Sequence, residues 1–143
     1  MQPAPQIDHP SPRFNIPSSS TGSKIEQVIS CYFQTLNAED FQATSSLFAI
    51  DGKLYPPMET AITGREAIES YLNAEAKGMK LVPSKYSVVQ SPHQTECQVA
   101  GKVNTPFFGV NVAWKFILNS EAEIVSVQVK LLAALEELMN LKF

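Results

Sequence analysis

The side chains that most often perform catalysis are sparse in this chain. Its two histidines are His9, inside a proline-rich stretch, and His93, beside Pro92 in turn-like sequence, so neither falls where a cavity would form. Cys31 and Cys97 lie far apart, and no grouping of His, Cys, Asp or Glu has the spacing of a metal site. The glycines are isolated, which leaves no loop to cradle phosphate. A buried general base needs a carboxylate or imidazole on an inward position. Glu26 and Glu66 instead stand at helix-capping positions, and Glu69 and Glu75 fall on an outer helical face. Asp51 and Glu59 are the least implausible candidates for a base, and the ordinary reading of both is as solvated surface acids.

What the sequence does offer is a pair of hydrogen-bond donors among apolar residues, Tyr32 and Trp114. The tyrosine phenol is neutral at physiological pH, and an indole N–H can only donate. Two such donors converging in an apolar cavity would suit a ligand with a single acceptor at the end of a long hydrocarbon. A Tyr on a helix face and a Trp on a strand are usually ordinary core residues, and spacing alone does not bring them together.

The elements that must position them follow from periodicity. Pro3, Pro5, Pro10, Pro12 and Pro17, then Ser18 to Gly22, make residues 1–22 read as a disordered tail with little to bury. The folded domain is expected over 23–143. Ser23 and Glu26 have capping-box spacing, and Ile25, Val28, Ile29, Tyr32, Phe33 and Leu36 form one apolar helical stripe. Asp40 can cap a second short helix through Phe48, followed by a brief extended piece from Lys53 to Pro57. Thr63 and Glu66 form another capping box, opening a helix with Ala67, Ile68, Tyr71, Leu72 and Ala76 inward and Gly78 as terminator.

From Ser84 the pattern alternates, giving strands over 84–90, 95–104, 107–118 and 123–131. Val110, Val112, Trp114, Phe116 and Leu118 share one face of the third of these strands, and a closing helix carries Leu135, Leu138 and Met139. Helices followed by hairpin-connected strands predict an α+β fold with an antiparallel sheet covered by the first helices.

Composition agrees with one soluble domain. The chain has 143 residues, 44% of them hydrophobic and 17% charged, with a net charge of −3. Lysine and arginine are scattered along the chain, which argues against nucleic acid as a partner. No apolar run reaches the roughly 20 residues that span a bilayer, and the N-terminus lacks the apolar segment of a secretory signal. A cytoplasmic location, with thylakoid association, is the expectation.

Several segments together are similar to a known family. Tyr32 through Phe41, Lys80 through Pro83, Gly101 through Gly109, Asn111 through Phe116, Leu131 through Ala133 and Glu137 through Asn140 resemble the C-terminal domain of the cyanobacterial orange carotenoid proteins. No all-helical carotenoid domain precedes them, which points to the free-standing homologues of that domain. The resemblance implies a nuclear transport factor two-like cone, a curved sheet wrapped on N-terminal helices. It also implies a ketocarotenoid, canthaxanthin or echinenone, whose keto oxygen accepts hydrogen bonds from Tyr32 and Trp114. Tunnel-lining positions of the family fall on Leu36, Leu81, Thr105, Pro106, Val127 and Val129. Phe107 stands where the photoactive relatives have Trp, and the stretch from Gly109 to Trp114 is shorter by several residues, so the rim is expected to differ.

The resemblance further implies a non-enzymatic protein that binds pigment as a homodimer, exchanges it with helical carotenoid proteins and quenches singlet oxygen. Transient membrane contact for pigment uptake goes with that role. It brings Cys97 forward as an intermolecular disulfide, and the closing helix as either a simple cover or a movable lid. Two other readings stay open: a cone-fold isomerase or hydrolase acting on a small hydrophobic substrate, and a protein-docking domain.

Overall fold

The chain's computed structural model describes residues 20–132, with side chains from residue 24 onward. The tail over 1–19 and the closing helix around Leu135, Leu138 and Met139 therefore lie outside the described residues. Helix α1 (Ser20–Asn37) begins three residues before the expected Ser23, so the Ser23–Glu26 spacing falls inside the helix instead of capping it. Its stripe behaves as the periodicity requires: Ile25, Ile29, Tyr32, Phe33 and Leu36 are all buried.

Helix α2 (Phe41–Ser46) is capped by Asp40, whose carboxylate accepts from the Ala43 N–H at 3.3 Å. It stops short of Phe48, which opens strand β1 (Phe48–Tyr55). Only the end of that strand was expected from sequence. The partner that makes it a strand is β6 (Ile124–Leu132), far along the chain, so no local pattern announces it.

Thr63 does not cap the next helix. It lies in the two-residue strand β2 (Ile62–Thr63) opposite Lys53, and helix α3 (Arg65–Glu75) starts from Gly64, whose φ of 94° suits glycine, with no side-chain cap. Ile68 and Leu72 carry its buried stripe, whereas Ala67 is exposed. Gly78, at φ 85°, turns the chain after the helix, and its N–H donates to the Glu39 carboxylate at 2.8 Å.

Strands β3 (Lys80–Gln90), β4 (Gln94–Asn104), β5 (Gly109–Asn119) and β6 form an antiparallel meander. The six-stranded order is β2-β1-β6-β5-β4-β3, and β1 runs parallel to β6. The sheet is thus mixed where a wholly antiparallel one was expected. It is curved and unclosed, with the helices packed against one face.

Register decides what meets on that face. Val99, Trp114 and Val129 lie in one cross-strand row, and Cys97, Phe116 and Val127 in the next. The opposite face receives Lys53, Lys85, Lys102, Lys115 and Lys130, one from each long strand, so lysines scattered in sequence are gathered in space. At Gly101 the β3 backbone passes so close, around Val82 and Pro83, that a Cβ would collide with it. The irregular register between Pro83 and Lys85 marks this approach.

Candidate functional site

Between the inner face of the sheet and helices α1 and α3 lies a cavity of about 280 Å³. Its walls are almost wholly apolar, with Leu36 from α1, Leu72 from α3, Leu81 from β3, Val103 from β4, Val112 from β5 and Val129 from β6. Both candidate donors reach it: Tyr32 comes from the α1 stripe and Trp114 from the middle of β5. Each is 2% exposed.

Aromatic packing fixes their rings. Tyr32 meets Phe116 edge-on at 5.0 Å between ring centroids, and Phe33 meets Trp114 edge-on at 4.9 Å. Tyr32 and Phe33 complete the cluster at 5.3 Å. Such edge-to-face pairs contribute about 0.5–1.5 kcal/mol each beyond their burial. Neither the Tyr32 hydroxyl nor the Trp114 indole N–H has a hydrogen-bond partner among the described residues. Burial holds the Tyr32 phenol well above its usual pKa, so it remains a proton donor at any physiological pH. The arrangement presents two unspent donors to an apolar space.

The wall is held in place by backbone clamps. The Asn37 side chain accepts from the Leu81 N–H at 2.7 Å and donates to the Leu81 carbonyl at 2.9 Å. This ties the end of α1 to the start of β3 and sets Leu81 against the cavity. Thr105 organises the rim: its hydroxyl oxygen accepts from the N–H groups of Phe107 and Phe108, and its own N–H donates to the Phe108 carbonyl. That turn replaces the expected start of β5 at Phe107.

Of the expected lining positions, the structure brings Tyr32, Trp114, Leu36, Leu81, Thr105 and Val129 to the cavity. Pro106, Phe107 and Val127 are not among its walls. Pro106 and Phe107 sit on the outside of the Thr105 turn, with Phe107 88% exposed. Val127 is sealed in the core between Phe116 and Leu54, one row below the cavity. Phe108, not Phe107, supplies the aromatic ring of the rim.

The sequence reading also missed Tyr71 and Glu75, both on the α3 wall. Glu75 was expected on the outer face; it is exposed yet lines the mouth. The signal was their four-residue separation, which places them on one side of a helix. Asp51 is exposed and does not line the cavity, and Glu59 is exposed as well. No group of three metal-ligating side chains occurs among the described residues, and no described helix is long and apolar enough to cross a membrane.

Cys97 is wholly buried, facing Phe116 across the β4–β5 ladder, and burial pushes its thiol up to about 12. A disulfide to a second copy needs an accessible sulfur and a thiolate, so the expected role of Cys97 disagrees with its position. Cys31 is only partly buried.

No family model matches the chain. It is 41% identical over 115 residues to an orange carotenoid-binding protein of Limnospira maxima, across 77% of this chain and 36% of that protein. Among solved structures, an orange carotenoid protein of Anabaena (Nostoc) binding canthaxanthin superposes with a TM-score of 0.77 at 34% identity, covering 90% of this chain and 41% of the other. An NTF2-like protein from Novosphingobium aromaticivorans, 17% identical, matches with a TM-score of 0.70 over 86% of this chain and 90% of its own, which speaks for the fold alone. The chain therefore spans well under half the length of the carotenoid proteins it matches. It has the NTF2-like fold and is a homologue of the orange carotenoid proteins, corresponding to their C-terminal domain.

Proposed function

We propose that this chain binds the keto end of a ketocarotenoid, with the Tyr32 hydroxyl and the Trp114 indole N–H both donating to the keto oxygen. The observation that carries this reading is the pair of unpartnered donors on one apolar cavity. Buried polar groups are rarely left unpaired, and an unsatisfied one costs about 1–3 kcal/mol. A carbonyl oxygen brought in on a hydrocarbon ring satisfies both donors at once. The Anabaena relative, which binds canthaxanthin, supports a ketocarotenoid of that kind as the pigment, with echinenone as the other expected ketone.

The cavity's size shapes the rest of the proposal. At about 280 Å³ it falls below the ~300–1,000 Å³ of sites that enclose a drug-sized ligand. It takes an end ring and leaves the polyene outside. A second copy arranged by a two-fold axis would cover the other end and present its own Tyr–Trp pair. Covering the polyene stabilises by roughly 25 cal/mol per Å² of apolar surface removed from water. A protein gripping only the pigment's ends suits a role in carrying carotenoid, passing it to helical carotenoid proteins and quenching singlet oxygen. Uptake from a membrane follows from the pigment's own solubility.

The enzymatic reading has less to stand on. The carboxylate on the cavity wall, Glu75, is exposed at the mouth, and His93 sits at an exposed hairpin tip away from it. Expression of the chain in cells that make canthaxanthin tests the proposal: the purified protein should carry tightly held pigment with a red-shifted spectrum. A colourless protein from pigmented cells would refute it.

A further inference from the structure

The tip of the β4–β5 hairpin, Thr105 to Phe108, holds two large apolar side chains in water: Phe107 is 88% exposed and Phe108 61% exposed. Clustered exposed aromatics mark a contact surface, and the backbone of the tip narrows which contact it suits. Pro106 has no N–H, the N–H groups of Phe107 and Phe108 both donate to the Thr105 hydroxyl, and the Thr105 N–H donates to the Phe108 carbonyl. Every backbone donor of the tip is therefore already used within it. Hydrocarbon accepts only backbone whose polar groups are satisfied internally, and the donors of this turn meet that demand before it touches anything. The same bonds hold the turn in one shape, so little order is lost when it docks.

Positive charge surrounds the tip. Lys80 pairs with Asn104 just before the turn, the Lys102 stem runs alongside Gly109 just after it, and the Pro106 ring lies beside Gly78, the neighbour of Lys77. All three lysines are exposed, and none makes an ion pair among the described residues. Of the nearby acids, Glu39 is engaged by the Gly78 N–H and Glu75 stands across the mouth on α3. Aromatic rings flanked by cations are the pattern of an interfacial anchor, with the rings at the acyl boundary and the ammonium groups among anionic headgroups. Charge also selects the occupant: a two-fold copy laid on this tip would set lysine against lysine, whereas an anionic bilayer complements all three. We infer that Phe107 and Phe108, with Lys77, Lys80 and Lys102, form an anchor that seats the protein on an anionic lipid surface. Phe108 belongs to both the tip and the cavity wall, so a seated tip turns the cavity mouth towards hydrocarbon. The keto-binding reading gives this anchor its use, but the anchor itself needs no pigment.

The test is co-sedimentation of the full, pigment-free chain with vesicles of phosphatidylcholine alone or of an equal mixture with phosphatidylglycerol. The chain should bind the mixed vesicles more tightly, and added salt should weaken that binding. Phe107→Ser changes an exposed side chain outside the cavity wall and should weaken binding by about 10-fold, the effect of returning one phenylalanine to water. Lys102→Gln should weaken it by roughly 5-fold, the share of one cation near a charged membrane. Size-exclusion chromatography of the same samples reads the competing occupant. No binding to the mixed vesicles, or binding untouched by Phe107→Ser, overturns the anchor. A chain that is dimeric until Phe107→Ser makes it monomeric, and that ignores vesicles, overturns it in favour of a second copy. None of these results bears on the keto site, which fails separately if pigmented cells yield a colourless protein.

Discussion

Tyr32 and Trp114 share a cavity only because each is held by a different element, and each makes a separate prediction. Removing one neutral hydrogen bond costs about 0.5–1.5 kcal/mol. Tyr32→Phe should therefore weaken pigment retention by roughly 2- to 10-fold, with a blue-shifted absorption maximum because the keto oxygen loses a stabilising donor. Trp114→Phe should shift the spectrum the same way and also lower stability, because Trp114 is buried within the aromatic cluster. Spectra and denaturation curves separate the two effects. The cysteines differ by accessibility: Cys31 should react with a thiol reagent in the native protein, while Cys97 stays protected until the protein unfolds. A dimer band on a non-reducing gel that disappears with Cys97→Ser would show instead that the inner face of β4 opens.

At the scale of elements, the site depends on how α1, β3 and β4 are joined. Asn37→Ala removes both side-chain bonds to the Leu81 backbone and should cost about 1–3 kcal/mol, read from the denaturation midpoint. Gly101→Ala should cost a similar ~1–3 kcal/mol, because its methyl group meets the β3 backbone and not a flexible side chain. An unchanged midpoint in either variant would contradict the packing described. The α1 stripe and the alternation of β4, β5 and β6 were legible in sequence because their periods are local. The parallel pairing of β1 with β6 was not, since its partner lies far along the chain. Val127 was assigned to the tunnel on family resemblance, and only the register shows it sealed behind Phe116. Tyr71 and Glu75 carried a legible four-residue spacing, but which side of α3 meets the cavity is decided by tertiary packing. The lysines that looked scattered needed only the strand alternation to fall on one face.

For the whole molecule, the buried ionisable groups set the pH response. Cys97 and Tyr32 fold in their neutral forms, with pKa values raised above the ordinary 9 and 10 by burial. Above those values the unfolded chain has released protons that the folded chain still holds, so stability falls as pH rises. The contribution is fully present below about pH 9 and is lost progressively from there towards pH 12, where Cys97 itself titrates. Thermal midpoints measured from neutral to alkaline pH should be level at first and then decline, and a midpoint that rises with alkali would contradict the burial of both groups. The central claim, though, concerns two donors and one acceptor. It is tested most directly by loading canthaxanthin into the native chain and into the double variant Tyr32→Phe/Trp114→Phe, then comparing absorption maxima and pigment retained after size-exclusion chromatography. The account predicts a red-shifted, firmly bound pigment in the first, and a blue-shifted, readily lost one in the second. Identical spectra and retention would show that Tyr32 and Trp114 are core residues and that the keto oxygen is held elsewhere.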